Sequence, residues 1–133
     1  MKSVIEKMSN HDLHIAVQCM DFILNSGHYY PEEIGTRLGV DRPELVTIHS
    51  LLQRFLSGEA DIGELASYSE KMLEDIDLAI HNSFADVGFA EEYDDSELIQ
   101  GYGISRSDVE AAFERLHAVE ESEDMIDDCK KGK

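Results

Sequence analysis

The stretch from 31 to 55, PEEIGTRLGVDRPELVTIHSLLQRF, constrains the fold more than any other part of the chain. Pro31 suits a first helical position, because the N–H that it lacks would have had no partner there. Gly39 can adopt the left-handed conformation that ends a helix, and Asp41 can cap the next one. Apolar residues then repeat at spacings of three and four. The stretch therefore predicts two helices joined by a tight turn, a helix-turn-helix hairpin.

The same residues carry a resemblance to a known family. Counted from Pro31, the motif has a small residue in fifth place, Gly35, and a glycine at the turn, Gly39. Its apolar positions are filled by Ile34, Leu38, Val40, Leu45 and Ile48. The run LGVDRPEL resembles the turn of GntR-type winged-helix regulators, and the resemblance covers residues 31–50. It implies a local helix-turn-helix and, by extension, a small DNA-binding transcriptional regulator.

One hypothesis of function follows from this hairpin. Arg42, Thr47 and Ser50 fall on the outward side of the second helix, so they are the expected DNA contacts. The charge of the hairpin opposes this, because nucleic-acid affinity is largely phosphate neutralisation by Lys and Arg. Residues 31–57 carry four acids and three bases, a net charge of −1. We therefore keep DNA binding as the second of two hypotheses.

The charge of the whole chain supports the first hypothesis. Twenty-nine acids face 11 bases for a net charge of −18, and residues 58–133 alone hold 22 of the acids with six bases. Such a surface repels phosphate and attracts a basic protein. The sequence thus predicts a non-enzymatic interaction protein that binds a basic protein partner, with mimicry of nucleic acid as one form of this. The expected acidic face is Glu91, Glu92, Asp94 and Asp95. Solubility alone is the simpler explanation of the charge.

Length and composition indicate one all-α domain, a bundle of five or six helices that contains the helix-turn-helix hairpin. A chain of 133 residues is one domain by length. We expect the helical domain to span residues 1–118 and an acidic, frayed tail to span 119–133. No apolar run is long enough for a membrane span or a signal peptide, which predicts a cytoplasmic protein without membrane contact. Two cysteines make no disulfide framework: Cys19 is expected in the core and Cys129 in the tail.

The first helix is apolar on almost every side. From Leu13 to Leu24 only a narrow polar stripe interrupts the apolar residues. The stripe consists of His14, Gln18, Asp21 and Asn25. A helix of this kind is central or lies in an interface. We therefore expect it near the centre of the bundle, with a homodimer or a tight heteromeric contact through apolar surface nearby.

The segment after the hairpin predicts one long helix and a loop. Asp61 can cap a helix that runs towards Phe84, with weak points at Gly63 and at residues 67–69 where the helix can bend or restart. Residues 85–95 lose the helical period, so they are expected to form a loop, with room for one turn of helix, anchored by Phe89 and Tyr93.

The pattern of the hairpin returns near the end of the chain with a constant offset of 64. Glu97, Leu98, Gly103, Ile104, Arg106, Val109 and Leu116 stand where Glu33, Ile34, Gly39, Val40, Arg42, Leu45 and Leu52 stood. Internal duplication is one interpretation. The simpler interpretation is that any hairpin of a short helix, a glycine turn and a long helix uses the same types of residue. Such caps recur in unrelated helices.

No pattern in the sequence indicates catalysis, a cofactor or a metal. Glu70, Glu74, Asp77 and His81 share a stripe, and His11 lies three residues before His14, but the stripe flanks the apolar face of its helix and is expected to be solvated. The stripe itself contains no Glu-x-x-His pair, and the chain lacks zinc-ligand spacing, a nucleophile elbow and a phosphate-binding glycine loop. We therefore predict no catalytic, cofactor-binding or metal-binding residues.

Overall fold

The computed structural model describes residues 4–89 and 94–131, with side chains described as far as residue 119. These ranges contain seven α-helices and no strand, which confirms the all-α class. A short 3-10 helix, Val4–Lys7, precedes them. The helices are α1 (Asn10–Asn25), α2 (Pro31–Leu38), α3 (Arg42–Ser57), α4 (Ile62–Leu65), α5 (Glu70–Phe89), α6 (Asp95–Tyr102) and α7 (Arg106–Lys131).

The hairpin of α2 and α3 forms where the local signals place it. Pro31 is the first residue of α2, and Gly39 ends that helix with a φ of 80°. Asp41 caps α3, because its carboxylate accepts a hydrogen bond of 3.2 Å from the backbone N–H of Glu44. The predicted turn at residues 39–41 is therefore confirmed.

The helix expected from Asp61 is interrupted at the predicted weak point over residues 67–69, which raises the helix count from five or six to seven. Asp61 caps only the four-residue α4. After a turn the chain starts again as α5, where the Ser69 hydroxyl accepts a hydrogen bond of 3.1 Å from the backbone N–H of Met72. Serine side chains offer the backbone such local bonds in place of a continuing helix.

The loop expected over 85–95 is wrong in its first part, because α5 continues to Phe89. Val87 and Gly88 are buried against α7, and a Cβ atom built on Gly88 would lie 3.1 Å from Cγ1 of Val109. The two helices contact each other through residues that are distant in the sequence. The apolar periodicity of a short stretch cannot predict such a contact. Phe89 is the last described residue of α5 and is 59% exposed, and Tyr93 lies outside the described residues.

Helix α1 is central, as predicted. Ile15, Ala16, Cys19, Met20 and Phe22 are all buried, and α3, α5, α6 and α7 pack around the helix. The chain itself therefore covers the apolar sides of α1, and α1 gives no reason to expect a second copy against it. A homodimer stays a prediction that needs another argument.

The structure extends the offset of 64 well beyond the second hairpin. Helices α2 and α6 begin 64 residues apart, as do α3 and α7. Gly39 and Gly103 both take left-handed conformations, with φ of 80° and 72°. Helices α1 and α5 end at Asn25 and Phe89, again 64 apart. We call α1–α3 the first repeat and α5–α7 the second repeat.

The two repeats exchange their short helices. Helix α2 packs on α5, α6 packs on α1, and α1 and α5 pack on each other. Asn82 of α5 donates a hydrogen bond of 2.8 Å to the carbonyl oxygen of Leu38 in α2. In the reciprocal contact, the rings of Phe22 in α1 and Tyr102 in α6 meet edge to face at 5.2 Å. This exchange is a property of the whole chain, so it favours duplication over the shared chemistry of hairpins.

The paired glycines provide a first prediction. Gly103→Ala should lower the free energy of unfolding by about 1–2 kcal/mol, the cost of a left-handed alanine. Gly39→Ala should lower it further, because its Cβ would lie 2.5 Å from Cδ2 of Leu78, whereas a Cβ at Gly103 meets nothing within 4 Å. Urea unfolding of both variants measures the difference.

Leu78→Ala supplies the control, since it removes the atoms that the new Cβ would meet. In that background, the two glycine substitutions should cost the same. Equal costs in the wild-type background would contradict the contact with Leu78.

Candidate functional site

The outer side of α3 presents the three residues expected to contact DNA. Arg42 is the first residue of the helix, and Thr47 and Ser50 follow on the same element; all three are exposed. The hydroxyl of Thr47 donates a hydrogen bond of 3.1 Å to the carbonyl oxygen of Pro43. The side chains are therefore accessible, but one of them is already engaged with its own helix.

The other cations of this hairpin are bound to carboxylates. Arg37 lies 3.3 Å from a carboxylate oxygen of Asp86, and Arg54 lies 2.8 Å from one of Glu64. The hydrogen bond that Arg54 donates to the Glu64 carboxylate contributes most to raising the pKa of Arg54, so this guanidinium remains charged and paired. Within the described part of the chain, Arg42 is the one arginine of the hairpin that has no carboxylate partner. Little positive charge is left for a phosphate backbone.

The predicted acidic face lies around the start of α6. Asp94 and Asp95 are both exposed there, while Glu91 and Glu92 lie outside the described residues. Asp95 is partly engaged, because its carboxylate accepts a hydrogen bond of 2.6 Å from the backbone N–H of Arg106.

Further carboxylates between 58 and 119 are exposed and form no salt bridge with any residue that the structure describes. Those without a backbone hydrogen bond are Glu59, Glu70, Glu74, Asp94 and Glu114, and those that accept one from a backbone N–H are Asp61, Asp95 and Asp108. Two cations of the same span are already paired: Lys71 with Asp75 at 2.8 Å, and Arg115 with Asp12. The surface of the second half therefore keeps an excess of negative charge after internal pairing.

The four residues of the stripe from Glu70 to His81 have different environments in the structure. Glu70 and Glu74 are exposed, whereas Asp77 accepts a hydrogen bond of 3.1 Å from the backbone N–H of Val4, and the ring of His81 lies 5.7 Å from that of His117. Across residues 4–89 and 94–119, no group of three or more His, Cys, Asp or Glu side chains could hold a metal ion.

Helices α5 and α7 carry an aromatic cluster that the sequence pattern did not predict. The ring of Phe113 lies 5.6 Å from that of Phe89 and 4.5 Å from that of His117, and His81 contacts both Phe113 and His117. We call His81, Phe89, Phe113 and His117 the aromatic patch. The spacing of four between Phe113 and His117 was the available signal, but only the pairing of α5 with α7 brings all four rings together.

His49 stands in the first repeat where Phe113 stands in the second. It is half-buried, and its Nε2 atom is buried with no hydrogen-bond partner among the described residues. Burial lowers the pKa of His49, and the nearby Asp21 carboxylate offsets part of that effect. A buried nitrogen without a partner costs stability.

Cys19 behaves as the core thiol that was predicted. It is fully buried in α1, and burial raises the pKa of its thiol far above the usual range. The side chain of Cys129 lies outside those described.

Comparison with protein families, with curated proteins and with solved structures finds no match for this chain. None of the helices in the described ranges is both long and apolar enough to cross a membrane. We therefore infer the function of the chain from the residues that it exposes.

The environment of His49 provides a second prediction. His49→Phe should raise the free energy of unfolding by about 1 kcal/mol at neutral pH, because it removes a buried polar atom without a partner. The gain should grow as the pH falls through about 6.5, since the unfolded chain then binds a proton at residue 49 that the folded chain takes up only at lower pH. Chemical denaturation across this pH range measures both effects.

His49→Gln is the matched control. It removes the titration but keeps a polar group, so it should reproduce the weaker pH dependence without the gain at neutral pH. Wild-type pH dependence in both variants would contradict the assignment to His49.

Proposed function

We propose that this protein is a non-enzymatic interaction protein that binds a basic surface of a protein partner through its acidic second half. The observation that carries the proposal is the set of exposed carboxylates between residues 58 and 119 that have no salt bridge among the described residues. Charge of one sign over such a surface raises the local concentration of an oppositely charged partner and the rate of encounter. The proposal assigns no reaction, cofactor or metal to the chain, and a cytoplasmic location stays part of it.

Mimicry of nucleic acid is the specific form that we favour for this interaction. A partner that binds phosphates with Lys and Arg would also bind closely spaced carboxylates. Exposed carboxylates on helices α5, α6 and α7 present such charges on rigid elements. The protein would then compete with nucleic acid for its partner, and the competition would weaken as salt screens both interactions.

Association kinetics test the proposal. The partner that co-purifies from the native host is identified by mass spectrometry, and its association rate is measured with wild type and with Glu91→Lys/Glu92→Lys/Asp94→Lys/Asp95→Asn. Asparagine at 95 keeps the acceptor for the backbone N–H of Arg106. At low salt, we expect the variant to associate about tenfold more slowly or worse, with a weaker salt dependence.

A second variant with Gln or Asn at all four positions is the control for graded charge. It should associate at an intermediate rate, and circular dichroism should show both variants folded. Equal rates and equal salt slopes for all three proteins would reduce the acidic surface to a solubility device.

DNA binding is the second candidate, and one observation favours it: Arg42, Thr47 and Ser50 share the exposed side of a helix that follows a glycine turn. Selection from a random duplex library, followed by fluorescence anisotropy, tests this. Specific binding that is lost in Arg42→Ala/Thr47→Ala/Ser50→Ala, in a folded protein, would favour the regulator over the acidic interaction protein.

A further inference from the structure

The aromatic patch stands out because part of it faces solvent. Phe89 is 59% exposed at the end of α5, and Phe113 on α7 is only partly buried. Their rings meet edge to face at 5.6 Å, and the ring of His117 leans on Phe113 from the next turn of α7. The result is a continuous aromatic surface across two helices, whereas single exposed apolar side chains are ordinary on protein surfaces.

The first repeat shows that the fold does not require this surface. Helices α1 and α3 pack together as α5 and α7 do, yet the equivalent positions there are mostly polar. Val17, Asn25, His49 and Gln53 stand where His81, Phe89, Phe113 and His117 stand. Asn25 donates a hydrogen bond of 2.6 Å to Asp21, so this position holds a polar pair in the first repeat. The same helix pair thus forms with polar residues, and the aromatic rings of the second repeat need another explanation.

Carboxylates flank the patch on α7. Glu114 is exposed and directly follows Phe113, and Glu110 lies one turn earlier. The Cγ atom of Glu110 is 3.7 Å from the position of a Cβ on Gly88, which places this side chain beside the last turn of α5. The patch therefore combines aromatic faces with negative charge at its edge.

Arginine is the side chain that fits this combination. Its planar guanidinium stacks on aromatic rings and pairs with carboxylates through two parallel hydrogen bonds, whereas lysine presents a compact and strongly hydrated charge. A second copy of this chain fits less well, because each copy carries a net charge of −18.

We propose that the aromatic patch is the docking site for an arginine-bearing segment of a basic protein partner. The inference rests on the proposed function and deepens it, since it gives the acidic protein a defined contact surface and a preference between two cationic side chains.

Two peptides of equal charge, nona-arginine and nona-lysine, are the probes, and calorimetry at low and at physiological salt is the measurement. We expect wild type to bind nona-arginine roughly two- to fivefold more tightly than nona-lysine, the advantage of a guanidinium on exposed rings. Phe89→Asn/Phe113→His places the residues of the first repeat on the second. It should reduce this preference to the part that comes from carboxylate pairing, while the affinity for nona-lysine stays unchanged.

Asn25→Phe/His49→Phe is the reciprocal control. It builds two rings on the first repeat without the carboxylates of Glu110 and Glu114, since Val46 and Ser50 hold the equivalent positions. We expect no gain in arginine preference from it. Circular dichroism of both double variants shows whether they keep the fold.

The outcomes separate the two proposals. Equal affinity of wild type for both peptides, or a preference that is undiminished in Phe89→Asn/Phe113→His, would overturn the docking site and leave the acidic interaction protein standing. Absence of binding to either peptide at low salt would overturn both. A dimer of wild type in sedimentation, lost in that variant, would assign the patch to a second copy and overturn the inference.

Discussion

The packing of α1 against α5 is the contact on which the rest of the structure depends. Each of these helices is the first of its repeat, and each carries the short helix of the other repeat on its surface. Cys19 and Ser83 hold equivalent positions on the two helices, and both are small and fully buried. Met20 and Phe84, the next residues, fill the core with large side chains. Because the short helices are exchanged, neither repeat holds a complete core by itself, and the two halves stabilise each other.

Buried and exposed positions of the two repeats have different constraints. At buried positions the repeats exchange apolar residues for one another, as Leu45 and Val109 do, because both sets must fill one core. Exposed positions carry no such requirement, and there the repeats differ: Ser50 and Gln53 in one correspond to Glu114 and His117 in the other. Folds host functions at sites that can change without disturbing the core. We therefore expect functional residues at the exposed positions where the two repeats differ.

The sequence predicted those features that local rules determine. Pro31, Gly39 and Asp41 act within a few residues of themselves, so the hairpin and its turn could be placed from the sequence. The end of α5 could not, because Gly88 is helical through its contact with α7, more than 20 residues away in the chain. The exposure of Arg42 followed from helical periodicity. The aromatic patch could not be predicted, because it depends on the packing of α5 against α7, and no short sequence pattern indicates that contact.

Ion pairing inside the protein makes its surface more acidic, because it uses cations that would otherwise offset the exposed carboxylates. Asp12 is only 7% exposed at the start of α1, and both oxygens of its carboxylate accept hydrogen bonds from Arg115 of α7. A buried carboxylate needs such a partner, because an unpaired charge in the core is strongly destabilising. Arg115 is therefore committed to a structural role, and the surface of the second repeat is more acidic than its composition alone suggests. Exposed phenylalanine rings do not contribute to solubility, so the proposed docking site accounts for a feature that charge alone does not explain. The acidic surface and the aromatic patch together favour binding over solubility as the reason for the charge.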